Sequence, residues 1–379
     1  MKNFDVVVVG SGPAGGMAAL EAAKGGLSVA ILEKESLPRY KTCGGGLVFR
    51  GREMLPFDFN HVIMSSYNDL YIYFDHMELP LVAKRDYPIV TMIMRDSFDE
   101  LIVKEAGKFG AILLENHQLK GIEFQESIQL ITSQGSISCK YLIAADGVMG
   151  PTAKLAGWKE TRKTIPALEY EIEVDSESFE RLSKEARFDI DAIPKGYGWC
   201  FPKKNHLSVG VGTFEKRKVN LREYYHEYVK KLGVKEVISE QAHGFQVPVS
   251  PRTDGFVRQN VFLTGDAAGF ADPLTAEGIT NALYSGSLAG KAIAQNFNSP
   301  TLAEQAYLEA LEERLLPELK FTGYLAKLFY HQKTLRNFLM KQNGQRYCEK
   351  ITDVYTGHLE LSKEVKARIL KNLGFGIFN

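Results

Sequence analysis

The sequence predicts an α/β fold: a parallel-sheet unit that the chain leaves and later re-enters, an inserted β-rich (α+β) domain, and a C-terminal helical appendage. Three observations point there. Phe4–Val9 is a β-branched run ending in glycine, Met17–Lys24 is an Ala-rich helical stretch stopped by Gly25-Gly26, and Leu27–Leu32 is a second strand closing on Glu33. Together they make a βαβ unit. Far downstream the strand-plus-glycine pattern returns at Val261-Phe262-Leu263-Thr264-Gly265, ahead of a small-residue helix over 278–296. From Pro166 onward, between these two parts, the texture changes to alternating strands joined by charged connections, the mark of a separate sheet.

The remaining elements follow from periodicity. Phe98, Leu101, Ile102 and Ala106 sit near helical spacing and predict a helix over Phe98–Lys108. Strands are predicted at 111–114, 118–124, 128–133 and 136–144, then at Ala167–Val174, Trp199–Phe201 and Leu207–Gly212, with an amphipathic helix at Leu221–Leu232. Residues 301–343 read as helical, and short helices are expected in the last thirty-odd residues. The expected division is 1–60, 95–160 and 252–298 for the nucleotide-binding domain, 61–94 and 161–251 for the substrate domain, and 299–379 for the helical region. Trp158 reads as core, and the acids between 173 and 191 read as a solvated surface.

Composition narrows the function classes. Of 379 residues, 45% are hydrophobic and 24% charged, which excludes a mostly disordered chain. Lys+Arg and Asp+Glu both number 46, so no whole-protein basic field for nucleic acid exists. No uncharged stretch reaches the roughly 18–20 residues of a transmembrane helix. The start, MKNFDVVVVGSG, does not read as a signal peptide. Cys43, Cys139, Cys200 and Cys348 are far apart without a CxxC, and the eight histidines are scattered, so no disulfide framework and no metal site is expected. The expected location is the cytoplasm, with membrane association left open.

The chemistry is carried by two segments. Gly10-Ser11-Gly12-Pro13-Ala14-Gly15 fits G-x-G-x-x-G between a strand and a helix: Gly10 for the turn, Gly12 for close approach of a pyrophosphate, Gly15 for strand–helix packing. Glu33 then stands where a carboxylate accepts ribose hydroxyls and repels a 2′-phosphate, which favours FAD or NAD over NADP. Thr264-Gly265-Asp266-Ala267-Ala268-Gly269, followed by Pro273 and Glu277-Gly278-Ile279, favours FAD. Asp266 can hold ribityl hydroxyls, and Gly278 and Ile279 open a helix whose positive end suits the pyrimidine edge of a reduced flavin.

With Arg95 ahead of Phe98-Asp99 and Asp146-Gly147 after a strand, these motifs resemble the para-hydroxybenzoate-hydroxylase-like flavoproteins. Lys41-Thr42-Cys43-Gly44-Gly45-Gly46 and the segment Pro194 to Pro202, which fits PxxYxWxFP at every fixed position, resemble the geranylgeranyl reductase branch. The resemblance spans about residues 1–300. One departure is Gly150 and Lys154, where the family's DG motif continues with Ser and ends in Arg. The resemblance implies a Rossmann-type FAD-binding domain with flavin contacts at Ala14, Glu33, Cys43, Gly44, Gly46, Arg95, Leu119, Asp266, Gly278 and Ile279. Arg95 also suits a pyrophosphate on its own chemistry, or else is a helix-flanking surface arginine.

Tyr197, Trp199 and Phe201 alternate, so on a strand they share one face. Periodicity alone makes that face sheet core; the resemblance makes it, with Pro202, the wall of a site for a long hydrocarbon. Cys43 and Tyr197 are the candidate catalytic residues. The Cys43 thiol is a proton donor, a substrate contact, or a small residue at a tight approach. The activity implied is FAD-dependent saturation of C=C bonds in a geranylgeranyl-type chain, free or linked to a lipid or pigment, with a hydride from reduced flavin. No second glycine fingerprint occurs, so NAD(P)H or another reductant visits transiently. The tail (Phe321, Tyr324, Leu325, Leu328, Phe329 and Tyr330 mixed with Lys and Arg) closes the tunnel, rests on a membrane, or simply packs. Rival readings are a monooxygenase or halogenase of an aromatic substrate, and a non-catalytic prenyl-binding escort.

Overall fold

The computed structural model describes residues 2–360 and 363. Five parallel strands run in the order Val261–Leu263, Gly135–Ala144, Lys2–Val9, Val29–Leu32 and Ile112–Leu114. Val6 to Val9 lie in the middle, buried on both faces, which is why that run is apolar throughout rather than alternating. The expected strand at Leu27–Leu32 begins at Val29, because Gly25 and Gly26 turn the chain first. Leu119–Phe124 and Ile128–Thr132 extend the sheet as an antiparallel meander from Gly135–Ala144.

The two motif-bearing segments meet through their helices. Pro13–Lys24 packs along Ile279–Gln295. A Cβ on Gly286 would stand 2.1 Å from the Ala14 carbonyl oxygen, so the contact requires the absence of a side chain there. Helix Arg95–Gly107 covers the other flank of Pro13–Lys24.

A second sheet of seven strands follows the order Val237–Pro248, Thr164–Val174, Leu207–Thr213, Gly196–Pro202, Ala186–Ile190, Asp69–Phe74 and Leu81–Lys84, antiparallel except between Ala186–Ile190 and Asp69–Phe74. Helix Leu221–Lys231 covers one face, over Tyr170, Ile172, Val209 and Val211. The opposite face looks toward the first domain and the C-terminal helices. A small sheet of Gly46–Val48, Val90–Ile93 and Ile63–Tyr67 brackets Asp69–Phe74 and Leu81–Lys84 in the chain.

Two expectations need correction. Asp189 is fully buried rather than solvated: Arg187 Nε and the Tyr228 hydroxyl donate to its Oδ2 at 2.6 and 2.8 Å, which compensates its desolvation. The end of the chain is not a run of short helices up to Tyr355. After Pro300–Ala310, a π turn at Leu311–Leu315 and Leu316–His331, one helix spans Lys333–Tyr355, kinked at Asn343. Arg336 bound to Asp191, and Arg85 bound to Glu349 (2.7 Å) and Asp353 (2.6 Å), hold it against the second sheet. Residues 361–362 and 364–379 lie outside the described residues. Trp158 is core, 4% exposed, with its indole N–H on the Gly255 carbonyl. Among the described residues no helix is long and apolar enough to cross a membrane.

Candidate active site

Both motif segments open on one cavity of about 490 Å³ between the parallel sheet and the seven-stranded sheet. Gly10 has φ +100°, and a Cβ there would lie 2.4 Å from the Ala145 oxygen, so the turn into the helix admits glycine alone. Gly10, Gly12 and Ala14 line the cavity. Gly15 does not: its α-carbon packs on the Gly10 carbonyl, where a Cβ would come within 1.9 Å, so it serves the turn and not the ligand.

Pro13–Lys24, behind Gly12, carries no side-chain cap and no acid in its first turn, whereas the first turn of Ile279–Gln295, behind Gly278, gives its Thr280 amide to the Glu277 carboxylate at 2.8 Å. The amino end of Pro13–Lys24 therefore presents unmatched positive potential to an anionic ligand, and that of Ile279–Gln295 is partly matched by Glu277. Glu33 ends its strand at 4% exposure and accepts from Ser11 Oγ, from the Ser11 and Glu35 amides, and from Arg39 Nε at 3.4 Å. Burial pulls its carboxyl upward, but the Ser11 hydroxyl and Arg39 outweigh it and hold the pKa below the ordinary value. Asp266 lines the cavity at the end of Val261–Leu263; burial raises its carboxyl against the opposing charges of Lys41, Arg95 and Arg162.

Arg95 is not a surface residue. It opens its helix with Nε and Nη2 on the two oxygens of Asp99 at 2.7 and 2.8 Å, and Arg39 Nη1 adds a third bond at 2.9 Å. Asp99 is fully buried and sits under Gly12 with Arg95, so two arginines are fixed beside the glycine turn. Leu119 lines the cavity from the head of its strand.

The segment around Cys43 closes the cavity from the second sheet's side. Lys203, 2% exposed, donates to the Gly44 and Ile93 carbonyls at 2.6 and 3.0 Å and clamps this loop. Cys43 Sγ accepts the Gly45 amide at 3.4 Å, and Gly46 lines the wall beside Gly44. The Lys41 ammonium stands 3.2 Å from the centre of the Phe245 ring; burial, helped by Arg95, depresses it to about 8.

Tyr197, Trp199 and Phe201 do share one face and line the cavity at the same time as they pack. A Cβ on Gly44 would meet Trp199 Nε1 and Phe201 Cδ2 at 3.1 Å, so the aromatic wall touches the Cys43 loop directly. The Tyr197 hydroxyl donates to the Thr275 carbonyl at 2.7 Å. Pro202 falls on the wrong side for a wall residue: with Cys200 it alternates to the far face, and its carbonyl accepts from Ser65 Oγ. The departure at Gly150 has a steric cause, since a Cβ there would lie 2.0 Å from the Asp146 carboxyl carbon while that carboxylate accepts the Thr152 amide and hydroxyl. Lys154 is exposed.

The FAD binding domain family matches residues 3–314. The digeranylgeranylglycerophospholipid reductase 1 of Methanococcoides burtonii is 30% identical over 322 residues, covering 78% of this chain and 77% of that one. The chloroplastic geranylgeranyl diphosphate reductase of Arabidopsis thaliana is 27% identical, with coverages of 93% and 79%. A crystal structure of a geranylgeranyl bacteriochlorophyll reductase-like protein from Thermoplasma acidophilum superposes with a TM-score of 0.78 at 23% identity, covering 94% of this chain and 92% of that one. The chain belongs to the geranylgeranyl reductase family of FAD-dependent oxidoreductases.

The cavity fits the family's cofactor. The Gly10–Gly12 turn leaves no Cβ where a pyrophosphate would approach, and the uncapped end of Pro13–Lys24 matches an anionic group there. Glu33 and Asp266 line the cavity at two strand ends, where their carboxylates would accept sugar and ribityl hydroxyls. In this reductase-family chain a second cavity of about 560 Å³ adjoins the first. Helices Leu316–His331 and Lys333–Tyr355 line it with Phe321, Leu325, Phe329, Leu339 and Met340. Leu70, Phe188, Tyr197, Thr275 and Tyr355 border both cavities and form the boundary between them.

Sequence reasoning did not find Tyr40, Glu169, Lys203, Phe245 or Tyr355 at the site, and it had Lys41 only as the first residue of the Cys43 segment. Only Glu169 left a trace, because it alternates with Glu171 on a strand whose other face is Tyr170 and Ile172; such a face reads as solvent unless another layer covers it.

Proposed function

We propose that this chain saturates carbon–carbon double bonds in a geranylgeranyl-type isoprenoid carried on a lipid, a pigment or a diphosphate. The placement of an apolar cavity directly beside the cofactor cavity, with five lining residues in common, carries the reading. A polyprenyl chain offers hydrocarbon and few polar handles, so it needs an apolar channel ending beside the redox ring. Bound FAD, once reduced, supplies the hydride. The chain's part is to thread the alkene past Tyr197 and Tyr355, seat it on Trp199 and Phe201, and exclude water.

NAD(P)H or another donor reduces the cofactor in a transient encounter. Tyr324, Leu335 and Phe338 are exposed on the helices that line the apolar cavity, interleaved with Lys320, Lys327, Lys333 and Lys341. That mixture supports peripheral contact with a lipid surface from which the substrate enters.

The test is anaerobic. Protein reduced with dithionite is mixed with a geranylgeranyl lipid, and the oxidised flavin spectrum should return without oxygen. Return only after oxygen is admitted would favour a monooxygenase, and protein purified without flavin would favour an escort.

A further inference from the structure

Saturating an isolated double bond adds two hydrogens and leaves no charge, so a proton must accompany the hydride. The Tyr197 hydroxyl is committed to the Thr275 carbonyl, and burial raises its pKa further. A different group is better placed. On strand Thr164–Val174, residues Ile165, Ala167 and Glu169 line the cavity in turn. Glu169 is 2% exposed. Its Oε1 accepts from Ser208 Oγ at 2.9 Å, and Ser208 in turn accepts the Trp199 indole N–H at 3.4 Å. A proton on this carboxyl, beside the aromatic wall, is held toward Glu171, the acceptor in their shared hydrogen bond.

The neighbouring groups favour this. Glu171, two residues on along the same face, is in hydrogen-bond contact with Glu169. Two carboxylates so close in a buried site do not both ionise. Glu171 takes the charge, because His206 Nε2 stands 3.0 Å from its Oε2 and Lys203 lies nearby. Burial and the Glu171 charge push the Glu169 carboxyl well above the carboxylate range. Tyr40 faces the pair from the cofactor loop. His243, in register with Glu169 on the adjoining strand, stacks on Tyr40 at 4.1 Å. Cys43 completes the surroundings through its interaction with Lys203. The His206 side chain, 19% exposed, connects this corner to water.

We propose that Glu169 is the proton donor of the reduction, resupplied from solvent through His206 and Glu171. The proposal rests on the alkene-reductase reading above. The Glu169 O–H bond breaks as the alkene π pair forms a C–H bond with the proton, and the neighbouring carbon accepts the hydride. The resulting carboxylate regains a proton from water along the relay.

Glu169→Gln keeps the shape and removes the acid. It should bind FAD as wild type does and lose about 100-fold or more in turnover of a geranylgeranyl lipid, with part of the rate restored by Glu169→Asp. Wild-type turnover should fall as pH rises through the elevated carboxyl pKa, since the acid is the active form. An independent readout needs no turnover: the infrared spectrum of the FAD-loaded oxidised protein at neutral pH should contain a buried carboxylic acid band that Glu169→Gln abolishes. Unchanged turnover in Glu169→Gln, or a wild-type spectrum without that band, overturns the proposal. A wild type that shows the band but reduces no isoprenoid overturns the functional reading instead. His206→Gln, near the surface, avoids any folding defect in the buried site; it should slow turnover and be rescued by added imidazole, and an unaltered rate refutes the relay.

Discussion

Trp199 lies flat against the backbone of Gly210, its partner on the neighbouring strand, so closely that a Cβ on Gly210 would stand 2.1 Å from the indole Cζ2. The indole owes its place in the cavity wall to that missing side chain. Gly210→Ala should push the ring toward the cavity at a cost of about 1–3 kcal/mol. The expected outcome is a roughly tenfold or larger fall in kcat/KM for the isoprenoid with FAD content unchanged. Steady-state kinetics with a flavin absorbance ratio would check it.

Asp266, on the second motif segment, lines the cavity, and its proposed role is to accept hydrogen bonds from the cofactor. Asp266→Ala removes hydrogen bonds to a charged group, each of about 1.5–3 kcal/mol, so FAD affinity should drop by about one to two orders of magnitude. Equilibrium dialysis or flavin fluorescence measures it, and retention of full yellow colour through gel filtration would refute the contact.

Asp99 holds both Arg95 and Arg39 with no exposure of its own. Asp99→Ala leaves two arginines without their carboxylate beneath the glycine turn. A loss of about 3–5 kcal/mol is expected from breaking such a buried pair. Denaturant unfolding of the FAD-free protein should show it, whereas a loss confined to FAD binding would assign Asp99 to the ligand alone.

Lys41, depressed to about 8 by burial, is charged below that pH and neutral above it. Its positive charge lines the cavity of an anionic cofactor, so FAD affinity should be greatest below about pH 8 and decline above it. In Lys41→Met the affinity should be lower and lack this dependence. Titrations at several pH values test both statements.

The parts legible in the sequence are those set by local geometry. Gly10, Gly12, Glu33 and Asp266 are fixed by strand ends and helix starts, where residue type and neighbours determine the backbone. Alternation placed Tyr197, Trp199 and Phe201 on one face, and the same alternation removes Pro202 from it. Glu169 and Lys203 were not legible, because their setting comes from distant segments. Glu169 looks like a solvent-facing acid until the Cys43 loop and strand Val237–Pro248 cover it. Asp189 was hidden in the same way, since its partner Tyr228 arrives on a helix well downstream. The boundary shared by the two cavities likewise depends on Tyr355, a residue of helix Lys333–Tyr355.

The central claim is that the apolar cavity delivers a polyprenyl alkene to the cofactor for reduction. Mass spectrometry of a geranylgeranyl lipid incubated anaerobically with the reduced protein tests it most directly. The account predicts products heavier by two hydrogens for each saturated bond, both of them deuterium when reduction and incubation are carried out in heavy water, because the transferable hydrogen of a reduced flavin also exchanges with solvent. Recovery of the lipid at its original mass, from protein with FAD bound and reduced, would contradict it.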